Sequence, residues 1–135
     1  MKQHEAIRIL LHKAAQDETV LRALLANIDI DDETLGFHAQ QALEKLLKAW
    51  LCHLGIDYPK THNLALLIDL LEHNGHSLPD SLSDIDSLTP FATVFRYDAL
   101  PLSEELDRSA LLNQVETTRL FVQKQLENTP PIKPT

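Results

Sequence analysis

The spacing of apolar residues predicts a chain of helices joined by short polar segments. A first helix, from about residue 4 to 27, has apolar positions at helical spacing: Ile7, Leu10, Leu11, Ala14, Leu21, Leu24, Leu25 and Ile28. The polar segment 16–19 interrupts this pattern, either as a solvated helical turn or as a kink. Asp32 is expected to cap the next helix, because a carboxylate there accepts hydrogen bonds from free backbone N–H groups.

The second helix, predicted over about residues 33 to 54, separates apolar from polar side chains. At about 100° per residue, one arc holds Ala39, Leu43, Leu46, Leu47, Trp50 and Leu54. The opposite side holds, within about 80°, the polar stripe His38, Gln41, Lys45, Lys48 and Cys52. Gly55 is expected to end this helix. The pattern predicts one face packed on the core and one polar face.

The remaining segments complete a helical protein. A third helix is predicted from about residue 61 to 73, and a shorter one within 77–95 that Pro90 breaks or kinks. Ser103 is expected to cap a last helix with Leu106, Ala110, Leu111, Val115, Leu120, Val122 and Leu126 inward. We therefore predict an all-α fold: an antiparallel up-and-down bundle of four main helices plus a short one. It forms one domain over residues 1–128, followed by a disordered proline-rich tail over 129–135.

Composition narrows the function. The 135 residues carry a net charge of -8, so the basic footprint of a duplex nucleic-acid binder is absent. One cysteine rules out an internal disulfide. No apolar run has the length of a membrane span, and the N-terminus does not resemble a signal peptide, so a cytoplasmic protein is expected.

Three motifs resemble those of the HEPN family, in the family's order. Residues 37–49, FHAQQALEKLLKA, are similar to its F-H-x-Q-Q-A-x-E-K-x-L-K-A pattern, and residues 61–64, THNL, are similar to its next helix start. Arg96 and Tyr97 resemble its Arg-Tyr pair. The resemblance covers about residues 5 to 126. It implies an antiparallel helical bundle that commonly dimerises, often with a minimal nucleotidyltransferase as partner in toxin–antitoxin pairs.

The resemblance also raises a ribonuclease hypothesis, from which this chain departs. Many relatives use an Arg and a His that are separated by four to six intervening residues. None of the five arginines here has such a histidine, and the nearest pair, Arg8 and His12, has three residues between. We therefore expect little or no ribonuclease activity. The chain is not itself a nucleotidyltransferase, because no Gly-Ser turn accompanies its aspartate pairs.

Three functions stay open at this point. We favour a binding module for a nucleotide or RNA; the alternatives are a degenerate metal-independent ribonuclease and a ligand-free dimeric scaffold. The predicted binding residues are His38, Gln41, Lys45, Lys48, His62, Arg96 and Tyr97. In the binding hypothesis they line one cleft whose lysines and Arg96 attract phosphate. In the alternative interpretation, His38, Gln41, Lys45 and Lys48 are an ordinary solvated helix face. Neither a cofactor nor a metal is predicted.

Overall fold

The computed structural model describes residues 2–92 and 107–133, and these form an all-helical bundle without strands. Its α-helices are α1 (Lys2–Leu24), α2 (Asp32–His53), α3 (Leu64–His73) and α4 (Arg108–Asn128). Two 3₁₀ segments, Asp80–Leu82 and Ile85–Ala92, lie between α3 and α4. The predicted all-α helical fold is confirmed.

Helix α2 is the centre of the bundle. It packs against α1, α3, α4 and the second 3₁₀ segment. Its predicted apolar arc is buried throughout, with Leu43 and Leu47 fully inaccessible. Burying an aliphatic side chain of this size stabilises the fold by about 1.5 to 3 kcal/mol. The apolar spacing of α2 therefore specifies the part of the core around which the other helices pack.

Helix α1 is continuous through its polar segment. Residues 16–19 lie inside α1 as a helical turn, and Glu18 in this turn is buried rather than solvated. Ile28 was placed in the apolar spacing of this helix, but it follows the helix end at Leu24 and is 92% exposed. Leu120 of α4 was predicted to be inward, but it is 58% exposed. In both cases the helical spacing of apolar residues continues to a position that is not buried.

Several helix starts differ from the predictions. The N-cap of α2 is Asp31, while Asp32 binds the Arg108 guanidinium. Helix α3 begins at Leu64, because the Asn63 side chain accepts a hydrogen bond from the Leu66 N–H. A short polar side chain with this geometry satisfies a backbone donor that the helix leaves free.

The last helix also starts later than predicted. Helix α4 begins at Arg108, with Asp107 as the cap through a 3.0 Å bond to the Ala110 N–H. The predicted cap, Ser103, lies outside the described residues. The predicted short helix is instead the pair of 3₁₀ segments, whose tighter turns suit a serine- and proline-rich sequence.

Residues 129–133 run back along the end of α2. The Ile132 N–H donates to the His53 carbonyl at 2.8 Å, and His53 Nε2 donates to the Thr129 carbonyl at 2.6 Å. Gly55 has φ +71°, and a Cβ there would lie 2.8 Å from the Ile132 carbonyl oxygen. The end of α2 thus accommodates this segment because Gly55 has no side chain; the disorder of the tail stays a prediction.

Candidate functional site

The first charged group on α2 is the Asp17 cluster, formed by Asp17, His38 and Lys45. Asp17 comes from the middle of α1 and accepts hydrogen bonds from both α2 side chains, with His38 Nδ1 at 3.0 Å. All three side chains are a quarter exposed or less, at 12% for Asp17, 25% for His38 and 20% for Lys45. A single carboxylate thus fixes two predicted binding residues against α1.

The second group is the Glu44 cluster, formed by Gln40, Glu44, Lys48 and His62. The Glu44 side chain is 5% exposed and accepts from Lys48 Nζ at 2.9 Å and His62 Nδ1 at 2.8 Å. Gln40 is fully buried; its amide donates to Glu44 and to the His62 carbonyl. These bonds tie the loop before α3 to the middle of α2.

Hydrogen bonding keeps the buried Glu44 ionised. Burial alone raises the pKa of Glu44, but hydrogen bonds from Lys48, His62 and Gln40 outweigh it and hold the pKa below its ordinary value. Breaking a buried ion pair on one side is costly, because the remaining charge is left without a partner. The cluster is therefore a stable charged group inside the bundle.

The two clusters share one electrostatic design. Each pairs a carboxylate with a lysine and adds one histidine. In both clusters the lysine ammonium is already paired with the carboxylate. The histidine is the second basic side chain on each carboxylate.

Tyr58 connects the Glu44 cluster to a cavity. Lys48 Nζ lies 5.7 Å from the Tyr58 ring centroid, a cation–π contact. Tyr58 also lines a cavity of about 230 Å³, together with Cys52, Gly55, Ile56 and Asp57. Burial raises the pKa of Tyr58, and the negative charges of Cys52 and Glu44 add to this. Burial likewise raises the pKa of the Cys52 thiol, so this thiol is a poor nucleophile.

The structure divides the predicted binding residues into these two clusters. His38 and Lys45 meet on Asp17, while Lys48 and His62 meet on Glu44. Gln41 donates to the Gln40 side chain at 2.7 Å and so adjoins the Glu44 cluster. The remaining two predicted residues, Arg96 and Tyr97, lie outside the described residues. Their place in the predicted cleft stays a prediction.

The sequence pattern did not predict the side chains that form hydrogen bonds with these binding residues. Asp17 lies 21 residues before His38, and Glu44 was not among the predicted binding residues although it pairs with Lys48. The signal for Asp17 is the polar segment 16–19 within an otherwise apolar helical pattern. The signal for Gln40 and Glu44 is their presence in the FHAQQALEKLLKA motif, although both are buried on α2.

A third charged group, the Glu18 cluster, lies on α1 and α4. Glu18 is 7% exposed; it accepts from Arg22 at 2.7 Å and from Arg119 at 2.9 Å. Glu116 lies 3.6 Å from Arg22. The hydrogen bond to Glu18 raises the pKa of Arg22 further above its ordinary value. This cluster joins two helices with charges that do not titrate near neutral pH.

Two further searches of the described residues bear on the site. No group of three or more His, Cys, Asp or Glu side chains in residues 2–92 and 107–133 is placed to hold a metal ion. Within the same ranges, no helix combines the length and apolar character needed to cross a bilayer.

Comparison with known proteins identifies the family. Neither the curated proteins nor the solved structures give a significant match. The family model described as HEPN domain matches residues 7–125, which is most of the chain. Both clusters of α2 lie within this match, and membership supports a nucleotide- or RNA-related module in general. The chain belongs to the HEPN domain family.

Proposed function

We propose that this protein is a HEPN-type binding module in the cytoplasm that binds a nucleotide or an RNA end on one face of α2. The binding residues are His38, Gln41, Lys45, Lys48 and His62, with Arg96 and Tyr97 completing the site. The repeated combination of carboxylate, lysine and histidine on neighbouring turns of α2 is the observation that carries the proposal.

The geometry supports an anion site that is fixed before the ligand arrives. Asp17 and Glu44 hold the lysines and histidines by hydrogen bonds, so little side-chain entropy is lost when a phosphate binds. His62 is 56% exposed, and its Nε2 edge is free to contact a ligand while Nδ1 donates to Glu44; Nε2 donates to a phosphate only in the imidazolium form.

Direct binding measurements test this function. We expect adenosine monophosphate or a short labelled RNA to bind, as measured by calorimetry and fluorescence anisotropy. His62→Gln is expected to weaken this binding because the imidazole contact is lost. Lys124→Ala is a control because Lys124 is exposed on α4, whereas both clusters are formed by α1, α2 and the loop before α3. Absence of binding of both ligands would contradict the proposal.

The variant Lys48→Ala is a poor test of binding alone. The helical pattern predicts that Lys48 is a surface cation. In the structure its side chain is only 14% exposed, and its ammonium donates a hydrogen bond to the buried Glu44 carboxylate. Removing the ammonium therefore lowers the stability of the fold as well as the positive charge of the site.

Incubating the protein with labelled RNA tests the ribonuclease alternative. RNA cleavage that Arg96→Ala abolishes would favour that alternative.

We further propose that the protein acts as a homodimer paired with a minimal nucleotidyltransferase. Family membership supports this part of the proposal. Light scattering is expected to give twice the 15.3 kDa mass of one chain at micromolar concentration. Copurification with a nucleotidyltransferase encoded beside this chain tests the pairing, and a monomer that binds no such enzyme would contradict it.

A further inference from the structure

The cavity at the end of α2 has the size of a ring-shaped group. Its volume is about 230 Å³, below the ~300 to 1,000 Å³ typical of sites for whole drug-sized ligands. It is lined by one aromatic ring, one aliphatic side chain, a thiol, a carboxylate and the backbone at Gly55. A flat, partly apolar group therefore fits it better than a phosphate.

Tyr58 gives the cavity a stacking surface. Tyr58 lines the cavity, and Lys48 Nζ lies 5.7 Å from its ring centroid. The Tyr58 side chain is partly buried, which limits the positions open to the ring. Nucleobases stack on such rings regardless of base identity.

The segment that follows Tyr58 carries cations that suit a phosphate. Lys60 is exposed and forms no ion pair with any residue that the structure describes. His62, two residues further, exposes 56% of its side chain beside Glu44. Asp57 lies in the cavity wall, and its negative charge repels a phosphate from the interior. These charges favour a ligand with its ring inside and its phosphate towards Lys60 and His62.

We propose that this cavity binds the base of a nucleoside monophosphate, either free or at the end of an RNA. The base stacks on Tyr58, and the phosphate is bound by Lys60 and His62. This inference rests on the proposed function, and it adds Tyr58 and Lys60 to the binding residues. It also assigns the base and the phosphate to different elements: the cavity at the end of α2 and the loop before α3.

The single cysteine provides a direct probe of the cavity. Cys52 is the only cysteine of the chain and lines the cavity, so an occupied cavity slows modification of its thiol. Because the pKa of this thiol is raised, the rate is measured with a disulfide reagent at one fixed alkaline pH. Saturating adenosine monophosphate is expected to slow the reaction at least fivefold, and inorganic phosphate is expected to leave it unchanged.

Variants of Tyr58 and Lys60 test the two contacts separately. Tyr58→Leu is expected to weaken adenosine monophosphate binding about tenfold, while Tyr58→Phe retains it because the ring remains. Lys60→Ala is expected to weaken binding of the nucleotide but not of adenosine. A 5′-phosphorylated oligoadenylate tests the RNA source: protection by this RNA but not by the mononucleotide assigns the site to RNA ends.

The outcomes separate this inference from the proposed function. If nucleotide or RNA binds but leaves the Cys52 rate unchanged in the wild-type protein, the cavity is not the base site and the proposed function stands. If neither ligand binds, both fall. The wild-type measurement decides this even if Tyr58→Leu fails to fold, which circular dichroism would show.

Discussion

The Glu18 and Glu44 clusters have the same arrangement of acidic and basic groups but contain different basic side chains. Each has a buried carboxylate that accepts hydrogen bonds from two basic side chains. Glu18 binds two guanidinium groups, which remain charged at every accessible pH. Glu44 binds one lysine and one histidine, and the histidine belongs to a loop. The first cluster joins two helices, whereas the second joins α2 to the loop before α3 and includes an imidazole that is more than half exposed.

Exposure separates the two clusters further. Arg22 and Arg119 are 50% and 28% exposed, so they can turn towards water if Glu18 is lost. Lys48 is only 14% exposed, whereas His62 is 56% exposed. In the Glu44 cluster, the Lys48 ammonium is therefore largely shielded from solvent, whereas the His62 imidazole is accessible to a ligand.

The largest expected effect is on stability at Glu44. Glu44→Gln is expected to lower the free energy of unfolding by about 2 to 3 kcal/mol, because the ammonium of Lys48 loses the ionic partner that it has among the described residues. Glu18→Gln should cost less, about 1 to 2 kcal/mol, since its arginines reach solvent. Urea titration followed by Trp50 fluorescence measures both, and the exposed Glu72→Gln is the control.

A double variant sharpens this result. Adding Lys48→Met to Glu44→Gln removes the unpaired charge and keeps the volume, so part of the lost stability should return. If the single variant is no less stable than Glu72→Gln, Glu44 does not carry a buried ion pair.

The next largest effect is the pH dependence of the folding stability that Glu44 is predicted to cause. The folded-state pKa of Glu44 lies below the ordinary value of 4.5. The ionised carboxylate therefore contributes stability that is present above pH 4.5 and is lost as the pH falls through the lower, folded-state pKa. The stability gap between wild type and Glu44→Gln should narrow between pH 5 and pH 2.5. A gap of constant size over this range would show that Glu44 is not held ionised in the folded protein.

A smaller effect is expected on ligand affinity. His62→Gln should weaken adenosine monophosphate binding about five- to tenfold, equivalent to ~1 kcal/mol, through loss of one hydrogen bond to the phosphate. Its effect on stability should be slight because the side chain is largely exposed. Calorimetry on Arg119→Lys provides the matched comparison. Equal loss of affinity in both variants would remove the functional distinction between the clusters.

The smallest effect is expected at Arg22. Arg22→Gln leaves Arg119 on Glu18 and removes a half-exposed ion pair, so the loss of stability should be about 0.5 kcal/mol. The loss should shrink further in high salt. A loss above 2 kcal/mol would mean that the Glu18 cluster depends on both guanidinium groups.

The sequence predicts the fold well because helical spacing depends only on neighbouring residues. The apolar arc of α2 is predicted from the 3.6-residue period, and its members are buried as expected. Helix starts were less predictable. Ser, Asp and Asn occur at several positions before each helix, and tertiary contacts select one of them. Asp32, for example, binds Arg108 instead of capping α2.

The candidate site was only half predictable for a related reason. The polar stripe on α2 follows from angles along one helix, but the carboxylate that holds His38 and Lys45 comes from α1. Asp17 lies 28 residues before Lys45, and no sequence spacing specifies that contact. Tyr58 was not among the predicted binding residues, because its proposed role depends on a cavity that it lines together with the end of α2.

The most direct test of the account is a titration of the ¹⁵N-labelled protein with adenosine monophosphate, followed by amide and histidine-ring NMR signals at pH 6. The account predicts shifts at His38, His62 and the loop from Gly55 to His62, with the signals of Arg22 and Arg119 unchanged. Shifts confined to the Glu18 cluster, or no shifts at saturating nucleotide, would contradict the claim that this face of α2 is the binding site.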